Sequence, residues 1–132
     1  MAKAKKSKQL SFEVPNKVGL LAAISSAVAE AKVNISAICA YGMGKKAYFM
    51  VLTENSAKAK KVLASLKTKV EEEDVVTVEL PNKVGELGKV AKKIADAGVD
   101  ILYLYGTAGT GKTSICVFKT ANDSKAIKAI NK

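Results

Sequence analysis

The chain has 132 residues, a net charge of +10 at neutral pH and 48% hydrophobic residues, which is typical of a folded globular protein of one or two small domains. It has no apolar run near the ~20 residues that a membrane span needs, and no apolar secretory signal at its N-terminus. We therefore expect a cytoplasmic protein that does not contact a membrane.

The positive charge suggests a nucleic-acid partner, but the composition argues against one. All 22 basic residues are lysines, so the planar guanidinium group that reads guanine edges is absent. Aromatic residues make up 5% of the chain, and the sequence offers no clear aromatic platform on which bases could stack. Nucleic-acid binding is the weakest of the functions considered.

The residue types needed for common catalytic sites are also missing. The chain has no His, and its two cysteines, Cys39 and Cys116, stand alone in apolar runs typical of strands. A thiol–histidine pair, a serine triad or a metal cluster cannot be assembled from these residues. We expect a protein that is not an enzyme and has no metal and no cofactor.

The first eight residues form a basic tail without apolar periodicity. Four of them are lysines, and none of the others is large and apolar except Met1. This composition predicts a disordered, solvated arm over residues 1–8. The alternative is a contact with a polyanion.

The first predicted domain spans residues 9–73 and has the order strand, helix, strand, strand, helix. Alternating apolar residues indicate strands, and apolar residues at helical spacing indicate helices. These elements are predicted over residues 9–14, 17–32, 33–41, 47–53 and 57–67. A short stretch before the acidic residues 71–74 could form a fourth strand, and the acidic run is predicted to link the two domains.

The second predicted domain spans residues 74–132 and repeats the same order. Its elements are predicted over residues 75–80, 83–97, 99–105, 114–120 and 122–130. No sequence remains after the last helix to supply a fourth strand. The sheet of this domain therefore has three strands or borrows one, because an open sheet edge is usually covered.

An internal repeat supports this division. Pro15–Gly19 recurs as Pro81–Gly85 at an offset of 66 residues, and Val33–Ile35 matches Val99–Ile101 at the same offset. Two copies of one small domain explain the repeat. The order of elements predicts the α+β class, with two tandem ferredoxin-like (βαββαβ) domains, antiparallel sheets and helices on one face.

Residues 106–113 match the phosphate-binding loop pattern G-x-x-x-x-G-K-[ST]. That loop works because a helix begins at its lysine and directs free amides at the phosphates. Here the β-prone run 114–119 follows instead. We expect a hairpin loop of small residues that does not bind nucleotide.

The two strand-to-helix turns are the candidate ligand sites. Asn16 and Asn82 are predicted N-caps, and the amides that follow them carry positive partial charge that attracts a carboxylate. The candidate residues are Asn16, Lys17, Val18, Gly19 and Leu20 in the first copy and Asn82, Lys83, Val84, Gly85 and Glu86 in the second. The alternative is that both stretches are ordinary capped turns.

The N-x-x-G turn, the amphipathic helix after it and the V-[ND]-I start of the next strand resemble ACT domains, the ligand-sensing modules of amino-acid metabolism. The resemblance covers about residues 9–132, as in a free-standing tandem protein. It implies an amino acid held between the turn and the second strand. In serine-sensing members, two asparagines stand at positions occupied here by Asn16 and Asn34, and in the second copy by Asn82 and Asp100.

The resemblance favours a non-catalytic sensor that binds a free amino acid or a related metabolite and regulates amino-acid metabolism. It also implies paired domains, and together with the incomplete second sheet it leads us to expect a homodimer. The alternative is a structural or protein-interaction module without a ligand, which docks a partner through its sheet edges.

Overall fold

A computed structural model describes residues 1–132. The strands are β1 (Lys3–Pro15), β2 (Ile35–Met43), β3 (Lys46–Thr53), β4 (Glu71–Pro81), β5 (Ile101–Thr107) and β6 (Thr113–Thr120). The helices are α1 (Leu20–Glu30), α2 (Ser56–Leu63), α3 (Glu86–Asp96) and α4 (Asp123–Asn131), with a 3-10 turn at Ala64–Leu66. Antiparallel strands and four helices confirm the predicted α+β, ferredoxin-like class. None of the helices is long and apolar enough to cross a membrane.

The chain divides into two compact units. One comprises residues 8–73, and the other comprises residues 74–132 together with residues 1–7. We call them the first and second units. The N-terminal residues therefore belong to the unit that contains the C-terminus.

In the first unit, β3 lies between β1 and β2, and all neighbours are antiparallel. Alternate strand residues point to one face of the sheet, where they meet the apolar stripes of α1 and α2. The rings of Phe12 and Phe49 stack there, with centroids 5.2 Å apart and an angle of 3° between their planes. The buried residues of this core are Leu10, Phe12, Val14, Ile24, Val28, Val33, Ala47, Phe49, Val51, Ala59, Leu63 and Val70.

In the second unit, β6 lies between β4 and β5, again antiparallel. Helices α3 and α4 cover the face to which alternate residues of β4 and β6 point. The core consists of Ala4, Val76, Val78, Leu80, Val90, Ile94, Val99, Cys116, Phe118, Ala126 and Ile130. Ala4, from the far end of the chain, is part of it.

The prediction of a disordered arm over residues 1–8 is wrong, because residues 3–7 form the first part of β1 beside β4. Ala4 is only 8% exposed. Its amide donates to Asn131 Oδ1 (2.7 Å), and Asn131 Nδ2 donates to its carbonyl (2.9 Å). The hydroxyls of Ser7 and Thr77 are 2.8 Å apart. The N-terminal segment thus supplies the strand that the second copy lacks.

Helices α1 and α3 each begin three residues later than predicted. Their N-cap residues are Gly19 and Gly85, with φ angles of 93° and 87° and no side-chain cap. This left-handed conformation favours glycine, which explains why both copies have one there. The prediction that Asn16 and Asn82 cap the helices is therefore wrong.

The burial of Ala4 gives a direct test of the N-terminal strand. Ala4→Asp would place a carboxylate in the core of the second unit, and we expect the free energy of unfolding of this unit to fall by about 3 kcal/mol. Amide hydrogen exchange in α4 and β6, measured by mass spectrometry, should become faster. Lys6→Ala changes the net charge by the same amount at an exposed position and is the control. Equal exchange in both variants would contradict a structural role for this segment.

Candidate functional site

The turn before α3 holds the glycine-rich loop of the second unit. Asn82 donates its backbone amide to the carbonyl of Lys112 (2.9 Å). Its side-chain Nδ2 donates to the carbonyls of Gly109 (2.9 Å) and Gly111 (3.0 Å). Carbonyls only accept hydrogen bonds, so the Nδ2 side of the amide must face the loop. Asn82 therefore fixes the β5–β6 loop against the turn.

This loop is the segment that matches the phosphate-binding pattern. Strand β6 begins at Thr113, directly after Lys112 and one residue before the predicted start at Ser114. The helix N-terminus that would bind phosphate is thus replaced by a strand. The pattern marks a hairpin loop.

The corresponding turn of the first unit holds its own hairpin. The amide of Asn16 donates to the carbonyl of Lys45 (2.8 Å). A Cβ atom on Gly42 would lie only 2.9 Å from Asn16 Nδ2, so the side-chain amide packs directly over this glycine. Each copy therefore uses the asparagine to join the turn to the following β-hairpin.

A pocket of about 290 Å³ lies in the second unit, between the turn before α3 and the β5–β6 hairpin. This volume is near the lower end of the range for ligand sites and suits a small metabolite. Its apolar wall includes Leu80, Leu87, Leu104 and Cys116. Burial raises the pKa of the Cys116 thiol, which keeps it in the neutral form.

The polar groups of the pocket come from the turn and the hairpin. They are Asn82, Lys83, Thr107 and Ser114. Lys83 is the only charged residue among those that line the pocket. Lys83 can attract an anionic ligand, and the nearby Glu86 carboxylate, whose charge interacts with that of Lys83, offsets part of this attraction.

Of the twelve predicted ligand residues, Asn82 and Lys83 line this pocket. Val84 and its counterpart Val18 lie at the tips of the turns and are fully exposed. Apolar side chains in water at the same place in both copies do not contribute to either core.

The structure separates the predicted ligand residues Asn34 and Asp100 from the turns of their own units. Asp100 directly precedes β5, whereas Gly106 lies near its end and lines the pocket. A strand rises ~3.3 Å per residue, so these residues are about 20 Å apart. The same holds for Asn34 and Asn16, at opposite ends of β2. One small ligand cannot contact both groups within one unit.

The N-termini of α1 and α3 differ in charge. The Glu86 carboxylate lies in the first turn of α3 and accepts a hydrogen bond from Lys89 Nζ (2.8 Å), which holds the pKa of Glu86 below its usual value. Helix α1 has no acidic residue in its first turn. Glu86 thus carries negative charge where the sequence analysis places a ligand carboxylate, and Lys83 is the better partner for one.

Sequence reasoning missed the apolar wall of the pocket, although the repeat contains the relevant pattern. The strand pairings place three side chains of each unit in one equivalent layer. The layer is Phe12, Phe49 and Ala40 in the first unit and Val78, Cys116 and Gly106 in the second. Comparing the copies at these positions would have revealed smaller residues in the second core.

No group of three or more Cys, Asp or Glu side chains is arranged to hold a metal ion. The pocket is lined by an apolar wall, one exposed lysine and neutral polar residues. Small-molecule sites typically combine an apolar lining with a few polar groups in this way.

A family model described as an ACT domain pair matches residues 6–132. Protein BT0572 from Bacteroides thetaiotaomicron is 30% identical over 97% of this chain and 88% of its own, with a TM-score of 0.88. The regulatory subunit of aspartate kinase from Thermus thermophilus is 15% identical over 94% of this chain and 90% of its own, with a TM-score of 0.68. The regulatory subunit of aspartate kinase from Thermus flavus is 19% identical over 98% of this chain and 94% of its own, with a TM-score of 0.66. The search of curated proteins found no match.

The hydrogen bonds of Asn82 lead to a test of its positioning role. Asn82→Ala removes two bonds worth about 1 kcal/mol each, so the β5–β6 loop should open more often. We expect tryptic cleavage after Lys112 to become about fivefold to tenfold faster, measured by mass spectrometry under native conditions. Asn16→Ala, at the matching turn, is the control and should leave this cleavage unchanged. Equal rates in the two variants would show that Asn82 does not hold the loop.

Proposed function

The chain belongs to the ACT domain pair family, and from that premise we propose that it is a cytoplasmic, non-catalytic sensor of an amino acid or a related metabolite. The fold is shared with regulatory subunits of aspartate kinase, which supports a regulatory role. The ligand would change the stability or pairing of the domains and so report its concentration to amino-acid metabolism.

The observation that carries this proposal is the pocket beside the turn before α3. Its lining combines an apolar wall with the exposed residue Lys83, and Asn82 fixes the loop at its edge. A free amino acid offers a carboxylate for the lysine and a side chain for the wall. The absence of histidine and the protonated thiol of Cys116 support binding rather than catalysis.

The turn of the first unit is proposed as a second position for a carboxylate. The amides of Leu20–Ala22 precede the first helical hydrogen bond of α1, which runs from Ala23 to the carbonyl of Gly19. No acidic residue occupies this first turn, so an anion would meet no competing charge. Lys17 and Val18 complete the proposed contact.

Asn34 and Asp100 remain proposed ligand residues under one condition. Because each lies far from the turn of its own unit, a ligand that contacts both groups would need them from two copies of the fold. A symmetric homodimer is one arrangement that provides such a pair.

The second candidate function is an interaction module without a ligand. The observation that favours it is the full exposure of Val18 and Val84 together with the partial exposure of Leu21 and Leu87. Apolar residues gathered at a helix start are typical of surfaces that another protein covers. Ligand binding distinguishes the two functions.

A thermal-shift screen of the twenty amino acids tests the sensor. A ligand that binds only the folded state stabilises it by about 2.7 kcal/mol at a concentration 100 times its Kd, and so raises the melting temperature. Two or three charge-assisted hydrogen bonds, less the cost of immobilising the ligand, predict a Kd between about micromolar and millimolar. If no amino acid or related carboxylate stabilises the protein, the interaction module takes the place of the sensor.

Sedimentation velocity tests the homodimer. We expect a dimer at micromolar protein concentration. If a second copy of the fold completes the site, Asn34→Ala should also weaken ligand binding about tenfold. Only monomer at high concentration, with and without ligand, would count against the dimer. Lys32→Ala, an exposed neighbour at the end of α1, is a control for the substitution.

A further inference from the structure

We propose that the pocket of the second unit selects a small carboxylate with an apolar side chain. Leucine and phenylalanine represent this chemistry among amino acids, and 4-methylpentanoate and 3-phenylpropanoate represent it without an ammonium group. The inference rests on the proposed ligand-binding function and narrows it to one site and one ligand class.

The matching layers of the two units differ in side-chain volume. In the first unit, the buried ring of Phe49 stacks on that of Phe12. In the second unit, Cys116 and Val78 pair in the corresponding place. Two phenyl groups are replaced by a thiol and two methyl groups, and the pocket opens beside Cys116. A phenyl ring at position 116 would take up part of the space that the smaller side chain of Cys116 leaves open.

Gly106 preserves this space. It pairs with Cys116, and a Cβ atom on it would lie 2.6 Å from the sulfur and 3.0 Å from the carbonyl oxygen of Ile115. No side chain fits there without displacing the strand. The backbone of β5 thus lies close to β6 and leaves the volume beside it open.

Two leucines at the side of the pocket are only partly covered. Leu87 and Leu104 are each 45% exposed and line the pocket from α3 and β5. An apolar ligand would cover this surface and gain about 25 cal/mol for each Å² removed from water. A polar side chain placed against the two leucines would lose its hydration there.

The charge of Lys83 favours a carboxylate at the other end of the ligand. Lys83 is the only charged residue of the pocket, and it attracts a carboxylate. No acidic residue lines the pocket: the nearby Glu86 carboxylate is paired with Lys89, and Asp100 lies about 20 Å away along β5. The carboxylate and the apolar group are thus the recognised parts, and the ammonium group of an amino acid is tolerated rather than required.

Calorimetric titration of the full chain tests the ligand class. Leucine, phenylalanine, 4-methylpentanoate and 3-phenylpropanoate should bind at least tenfold more tightly than serine, aspartate or lysine. The two deaminated acids distinguish a carboxylate site from an amino-acid site. If serine or aspartate binds as tightly as leucine, the inference is wrong while the sensor function stands. If none of these compounds binds, both are wrong.

Variants then locate the site. Cys116→Phe restores the ring found at Phe49 and should abolish binding of leucine by filling the pocket. If this variant does not fold, Leu104→Asn tests the location of the site instead, because Leu104 is partly exposed and its position tolerates a polar residue. It should weaken leucine binding about fivefold or more, whereas Ile38→Asn, at the matching strand position of the first unit, should leave it unchanged. Equal effects of Leu104→Asn and Ile38→Asn would place the ligand elsewhere.

A test variant and a matched control variant examine the contact between Lys83 and the ligand carboxylate. Lys83→Met keeps the aliphatic stem and removes the charge, so the Kd for leucine should rise about threefold, and less at high salt. Lys125→Met makes the same change at an exposed lysine of α4 that does not line the pocket, and it should not alter this Kd. A Kd that is unchanged in Lys83→Met would exclude the lysine as the partner of the carboxylate.

Discussion

The register of the antiparallel strands is the constraint on which both units depend. A slip of one residue would turn every inward side chain to the opposite face of the sheet, so the pairing decides which side chains share a layer. Phe12 pairs with Phe49 in one unit, and Val78 pairs with Cys116 in the other. Because the pairing is equivalent, the two units differ in the side-chain volume of this layer, and in the second unit Cys116 of this layer lines the pocket.

Much of the fold follows from local patterns, but the first strand does not. The repeat, the order of elements and the strand at Thr113 could be predicted, since alternation and helical spacing are properties of neighbouring residues. The strand over residues 3–7 could not, because its one deeply buried side chain is the methyl group of Ala4 among lysines. Its hydrogen-bonding partner, Asn131, is 127 residues away along the chain. The helix starts were misplaced because Gly19 adopts a left-handed conformation that replaces a side-chain cap.

The site was predicted in part. The turn residues Asn82 and Lys83 line the pocket, because the N-x-x-G motif fixes the turn at the edge of the sheet. The apolar wall was missed, since a cysteine in a strand is most often a small buried hydrophobe. Asp100 was assigned to the same site from the resemblance alone, and the length of β5 separates Asp100 from the pocket. Where along a strand a residue lies is a property of the fold that motif spacing does not give.

Chemical-shift mapping is the most direct test of the central claim that the second unit holds the ligand pocket. Titrating the isotope-labelled full chain with leucine should shift the amide resonances of Lys83, Leu87, Leu104 and Cys116, which surround the pocket. The resonances of the matching positions in the first unit should move much less, because the ring of Phe49 fills the corresponding space. Shifts centred on the first unit, or no shifts at millimolar leucine, would contradict the account.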